Sequence, residues 1–274
     1  MRHPALGAAL GVIIIAMTFP AWAGPWTVAE GETIASLSMI QAEFDELFNI
    51  DHEKRPLPGP IRQRDTVLGL SYGLVEDWEA SLQVSAYDSQ QQFPGNEAEQ
   101  SGLGDTRFGV KHLVYRGTVD VAAQVGMKLP GSYDADVIYA PGDGQADVEL
   151  RTMAGKLWDR AFVALDAAYR FRAGAPSDEY EILLDTGYAI TSQLHGRVLS
   201  RLVNALSGVG SADTPGVSLK QTEEDIVSVG GALAIQPFAG VTVTLQYMTV
   251  VAGRNTPARP DIGVSLAYSF DFFL

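Results

Sequence analysis

From Asp105 to Arg201 the chain carries charged side chains at two-residue spacings inside runs that are otherwise apolar. The series reads Asp105, Arg107 and Lys111; Asp120 and Lys128; Asp147, Glu149 and Arg151; Asp166 and Arg170; Glu181 and Asp185; then His195, Arg197 and Arg201. A spacing of two puts side chains on one face of a β-strand. Such rows can form ion pairs across neighbouring strands, worth up to about 1 kcal/mol when partly exposed. Lining a wet interior, they can also bind or filter a small solute. Two carboxylates that meet without a cation need a shared proton or a counter-ion.

Other chemistry finds less to work with. The chain has no cysteine, which excludes a disulfide, a thiolate metal site and a cysteine nucleophile. His52 falls in a loop, His112 shares the parity of Val110, and His195 stands beside Gly196 and Arg197. No spacing brings a nucleophile, a base and an orienting group together. The loop acids Asp134, Asp136 and Asp143 lack the ligand spacing of a calcium loop. No cofactor and no metal are expected. Arg2 is the one charged residue among the first 23, which leaves 18 basic and 33 acidic groups, about −15 in net charge. That balance argues against a nucleic-acid partner.

The elements that must hold these charges are strands. WEASLQVSAYD, residues 78–88, alternates apolar and polar side chains, and the alternation recurs along the chain. Twelve strands are predicted around residues 34–45, 68–74, 78–86, 106–110, 119–129, 148–150, 163–169, 180–190, 194–202, 227–235, 241–247 and 262–272. A parity slip near Ile40 predicts a bulge in the first. Brief connections (75–77, 116–117, 159–160, 191–193 and 236–240) alternate with longer ones rich in Gly, Pro and charge (48–62, 89–102, 130–145, 172–178, 207–222 and 252–259). This is the layout of an all-β, closed, antiparallel up-and-down transmembrane barrel with short periplasmic turns and long extracellular loops.

Orientation follows from charge. The parity opposite the apolar one holds Asp105, Arg107, Lys111, Lys128, Glu149, Arg151, Asp166, Arg170, Glu181, Asp185, Arg197 and Arg201, too many charges for a dry core. The apolar parity therefore faces lipid, with Tyr72, Trp78, Tyr115, Trp158, Tyr180, Tyr188 and Phe272 as interfacial aromatics. The inward parity of strands one to three and ten to twelve offers mostly Gly, Ser, Ala and Thr. One charged wall and one small, neutral wall are expected, with the 48–62 loop and its KRPLPGP stretch a candidate plug. Hairpin arithmetic places Asp105 opposite Lys128, Asp147 opposite Arg172 and Glu149 opposite Arg170. The same arithmetic places Arg170 opposite Glu181 and Asp166 opposite Asp185, the last pair needing Arg151 or Arg197 diagonally.

The start, MRHPALGAALGVIIIAMTFPAWAG, has the basic residue, apolar run and Ala-Trp-Ala site of a secretory signal peptide over residues 1–23, leaving 24–274 as the barrel. The end, AYSFDFFL, resembles the terminal signal read by the barrel assembly machinery, with Leu274 in place of the usual Phe.

Three stretches, LGLSYGLVEDWEASLQV (68–84), SGLGDTRFGVKHLVY (101–115) and GMKLPGSYD (126–134), resemble the outer-membrane family named for the meta-pathway of phenol degradation. In it a Gly-Leu-Gly-Asp stretch, here residues 102–105, opens a strand, and a Lys-Leu-Pro-Gly stretch, here 128–131, ends the next. The resemblance implies a porin-like barrel in the cell outer membrane. The segment before the first strand is short for the N-terminal hatch of a long-chain lipid transporter. KHLVY, around His112, lacks the His-x-Ser-Asn-Gly stretch of outer-membrane phospholipases. The expected function is a channel or transporter for small solutes, aromatic or hydrophobic compounds among them, and the protein is not expected to be an enzyme. Its expected partners are outer-membrane lipid, the assembly machinery and the solute. A structural or adhesive surface barrel, and an outer-membrane hydrolase, are the competing readings.

Overall fold

A computed structural model describes residues 24–133, 142–174, 177–206 and 223–271. Residues 1–23, expected to be a signal peptide, and Asp134, Asp136 and Phe272 lie outside the described residues. The strands are β1 (Glu32–Phe48), β2 (Lys54–Val75), β3 (Trp78–Phe93), β4 (Asn96–Tyr115), β5 (Asp120–Leu129), β6 (Asp147–Leu157), β7 (Ala161–Arg172), β8 (Glu179–Ala189), β9 (Leu194–Ala205), β10 (Asp225–Phe238), β11 (Val241–Arg254), the two-residue β12 (Thr256–Pro257) and β13 (Pro260–Asp271). Each long strand pairs antiparallel with its sequence neighbours, and β1 pairs with both β2 and β13, so the twelve long strands close into a ring. Closure leaves no sheet edge, which a bilayer requires because its core cannot satisfy unpaired backbone groups.

The apolar parity is on the outside. Leu68, Leu70, Val110, Val125, Leu150, Leu165, Leu184, Leu245, Val264 and Leu266 are all exposed, while the charged parity between them is buried. Such a band is unstable in water and stable in acyl chains. Along β1 and β2 the polarity inverts. Leu37 and Met39 face outward, but further up the same strand Ala42 and Phe44 are buried and Gln41 and Glu43 are exposed. The parity slip at Ile40 is therefore no bulge, since the β1–β2 register runs unbroken from Thr33 to Phe44. It marks the level at which the strand leaves the membrane and packs inward as a soluble sheet would. The bulge falls instead between Phe44 and Glu46.

This explains a second departure. Most of the stretches predicted as long loops at 48–62 and 89–102 are strand, and only 49–53 and 94–95 connect them. The 54–62 stretch is accordingly part of the wall and not a plug. Its prolines sit where β2 has not yet begun its pairing with β3, which starts at Ile61. Phe44, Leu47, Ile61 and Phe93, with Leu57, form a small apolar core inside this raised part.

Registers agree with the arithmetic across β6–β7, where Asp147 faces Arg172 and Glu149 faces Arg170. They differ by two residues elsewhere. The β4–β5 connection takes up residues 116–119, two more than the turn assumed, and with the bulge between Leu113 and Tyr115 it sets Arg107, not Asp105, opposite Lys128. A longer β7–β8 connection sets Arg170 opposite Glu179, Ala168 opposite Glu181 and Ala164 opposite Asp185. Asp166 and Asp185 thus do not face each other. A two-residue slip preserves the face of every side chain, so the division into lipid and lumen sides survives it.

Candidate functional site

All twelve predicted lining residues belong to the inward parity. On β6 to β9 they form a connected ladder. Arg151 donates to Glu149 (Nε–Oε1, 2.9 Å) and Glu181 (Nη2–Oε1, 2.8 Å), with Asp166 at 3.7 Å. Arg170 bridges Glu149 (2.9 Å) and Glu179, and Arg201 holds the other oxygen of Glu181 at 2.6 Å. Arg197 binds both oxygens of Asp185. Nearly every member is at least nine-tenths buried, so these pairs lie in a medium where each charge needs its partner. Arg107 differs: among the described residues it has no hydrogen bond or ion pair, although Asp105, Glu149, Glu181 and Arg170 act on it electrostatically.

The opposite wall is small and neutral as expected, with Ser71, Gln83, Ser228, Ala232, Ala234, Thr242, Thr244, Ser265 and Ala267 buried inward. Leu199, Ala232 and Met248 make an apolar contact patch there. Two inward acids went unread. Glu79 pairs with Lys111 at 3.0 Å, and Glu179 also binds Arg172 at 2.5 Å. Both share the parity of neighbours already assigned to the lumen, and that parity was the available signal.

At the extracellular rim the two stretches 102–105 and 128–131 meet. The Asp105 carboxylate accepts the Tyr133 phenol (2.6 Å) and the Gly131 N–H (3.4 Å), and Ser132 N–H donates to Leu103 O (2.9 Å). A Cβ on Gly131 would stand 2.2 Å from Leu103 O, so only glycine allows the approach. Lys128 then gathers Asp143 (2.5 Å) and Asp147 (2.7 Å), drawing the far end of the same loop inward. Burial works against the Asp143 charge, but Lys128, Arg172 and the Gln145 N–H outweigh it and hold the carboxyl below its ordinary range. Burial, with the bond to Asp105 and that group's charge, pushes the Tyr133 phenol up.

At the periplasmic end a segment expected to be too short for a hatch nevertheless lies inside the barrel. Gly24 N–H reaches both Asp166 oxygens (3.1 and 3.3 Å), Trp26 Nε1 donates to Asp120 (3.1 Å), Lys111 donates to Trp26 O (2.7 Å) and Val28 N–H donates to Glu79 (3.0 Å). Eight residues, 24–31, are enough because the chain follows the wall from β2 to β7 and does not form a globule. The histidines do not converge. His112 stacks on Trp78 on the lipid side (4.2 Å between rings), and His195 lies on the inward parity near the start of β9.

The barrel is similar to solved outer-membrane structures. The COG4313 outer membrane channel from Pseudomonas putida F1 matches with a TM-score of 0.72 at 14% identity, over 90% of this chain and 98% of that one. The translocator domain of autotransporter NalP from Neisseria meningitidis matches at 0.51 and 10% identity, over 88% of each chain. A KdgM porin in complex with disordered oligogalacturonate matches at 0.50 and 9% identity, over 87% of this chain and 99% of that one. These likenesses carry the fold alone. No curated protein matches the sequence. A family profile described as "Putative MetA-pathway of phenol degradation" matches residues 61–266, spanning all or most of the three sequence stretches and the whole charged ladder. With three quarters of its length under that profile, the chain belongs to this phenol-degradation family of outer-membrane β-barrels.

Proposed function

We propose that the protein is an outer-membrane channel for small solutes, with aromatic or hydrophobic compounds among those it passes. The observation that supports this best is the segregation of the lumen. Paired charges line one wall, small neutral groups the other, and Arg107 stands near carboxylates but makes no hydrogen bond or ion pair among the described residues. A solute with an apolar body and an anionic or hydrogen-bonding edge suits such a cross-section: the edge meets Arg107, and the body passes Leu199, Ala232 and Met248. The name of the COG4313 channel and the phenol-degradation label of the family favour the same reading. No catalytic step is assigned. The terminal strand β13, with Tyr268 and Phe270 stacked at 5.4 Å, is the part we assign to recognition by the assembly machinery.

The test is conductance of the purified barrel in planar bilayers under a salt gradient. Discrete channels are expected, and Arg107→Ala should move the reversal potential toward cations. A second reading, a closed structural barrel, draws on the segment 24–31 inside the lumen and on the near-complete burial of the ladder. Electrical silence of a folded barrel would decide for it.

A further inference from the structure

We propose that Gly24 is the first residue of the mature chain and that its α-ammonium is the counter-ion of Asp166, holding residues 24–31 as a strap around the periplasmic mouth of the lumen. Three independent features meet at this point. The first is the sequence: Ala-Trp-Ala immediately precedes Gly24, the pattern after which a secretory signal is cut. The second is the position of the Gly24 nitrogen, which lies within hydrogen-bond reach of both oxygens of Asp166, a carboxylate only 1% exposed. Of the other cations acting on it, Arg151 stands 3.7 Å away and is already bonded to Glu149 and Glu181, and Lys111 is already bonded to Glu79 and Trp26 O. A buried carboxylate facing a neutral amide is costly, whereas facing an ammonium it is compensated. Cleavage therefore creates the cation at the one place where the wall has prepared an anion for it.

The third feature is that the wall is cut to the shape of the strap. A Cβ on Gly73 would fall 1.9 Å from Ala29 O, and one on Gly155 would fall 2.7 Å from Pro25 Cδ. Gly31 N–H donates to Gly73 O (2.9 Å), and Trp26 packs edge-on against Phe162 at 5.9 Å. With the contacts to Asp120, Lys111 and Glu79, the strap is anchored at every strand from β2 to β7. Side chains that a channel would need free at this level are used to hold it. An uncleaved chain would put a peptide nitrogen where the ammonium belongs, so removal of the leader and docking of the strap are one event.

The pairing can be tested apart from the channel reading, on which only its effect on passage rests. Barrel isolated from outer membranes should begin at Gly24 by intact mass. At pH 7 the paired α-amine should acylate roughly tenfold more slowly in the folded barrel than in the urea-unfolded chain, since each pKa unit of stabilisation of the ammonium removes that much free amine. Asp166→Asn, checked for folding by heat-modifiable gel migration, should restore the unfolded rate. Gly73→Val, which leaves Asp166 in place, should dislodge the strap from its β2 end and raise single-channel conductance. A different N-terminal residue, or acylation of the native barrel at the unfolded rate, overturns the pairing. Unchanged conductance in a conducting Gly73→Val barrel overturns the strap as a restriction. A barrel that never conducts refutes the channel reading and leaves the acylation result to decide the pairing.

Discussion

Asp185 and Arg197 offer the sharpest test of the lumen's energetics. Their side chains are 1% and 3% exposed, and Asp185 accepts hydrogen bonds from Arg197 through both oxygens, with no other described cation in contact. Arg197→Met removes the charge and keeps much of the volume, leaving a carboxylate enclosed without compensation. Breaking a buried pair from one side costs about 3–5 kcal/mol. Arg151→Met looks worse, because Arg151 touches three acids. Yet Glu149 keeps Arg170 at 2.9 Å, Glu181 keeps Arg201 at 2.6 Å and Asp166 keeps the Gly24 nitrogen at 3.1 Å. Its loss should therefore cost only about 1–3 kcal/mol, the scale of charged hydrogen bonds with remaining partners. The double variant Arg197→Met/Asp185→Leu should return to within about 1 kcal/mol of the parent, since apolar replacement of a whole buried pair is close to neutral. Reversible urea unfolding in lipid vesicles, followed by tryptophan fluorescence, measures all four proteins. The reasoning is wrong if Arg151→Met is the more damaging substitution, or if the double variant is no better than Arg197→Met alone.

Gly131→Val should leave the barrel folded but lift the loop after β5 off Leu103 and Tyr133 off Asp105, read as new protease cleavage within residues 130–146 of the intact barrel. Unaltered cleavage would mean that the contact does not hold the loop. For Asp143 the folded carboxyl is held below its ordinary range, so its stabilisation of that loop is fully present above the unfolded value, about 4, and is lost only as pH falls through the lower folded value. Cleavage of the loop by an acid-active protease should stay slow at pH 5 and quicken well below pH 4, while Asp143→Asn should be fast at both. Equal rates for parent and variant at pH 5 would refute the latch.

Much of this architecture is legible in the sequence, and for a definite reason. Face is a parity property, so Leu82 and Glu149 are assigned to opposite sides by counting alone. Register is not, because it depends on how many residues a turn absorbs. The longer 116–119 turn, and a β7–β8 pairing that begins only at Arg170 and Glu179, each moved the pairing by two, and neither has a distinctive local sequence. The raised part of β2 was misread because Pro56, Pro58 and Pro60 argue against strand in general but not for a segment lacking one neighbour. The strap has no periodicity at all. Its trace was indirect: Gly73 and Gly155, strand glycines whose missing side chains mark where another backbone or ring comes close.

The unequal strand lengths shape how anything reaches the pore. Lys54 to Asp65 of β2 rise past the level where Thr66 and Leu68 meet lipid, while β5 stops after 10 residues. Twelve residues on a strand tilted by about 40° climb roughly 30 Å. The entrance is thus a half-collar, a tall screen over the neutral side and a low sill over the ionic one. Among the described residues, a molecule approaching from outside meets strand wall that stands higher on the neutral flank than on the ionic one. On the lower flank the described strands end at the rim where Asp105, Lys128 and Asp143 fasten their loop, so the two flanks of the wall differ before any narrowing of the pore comes into play.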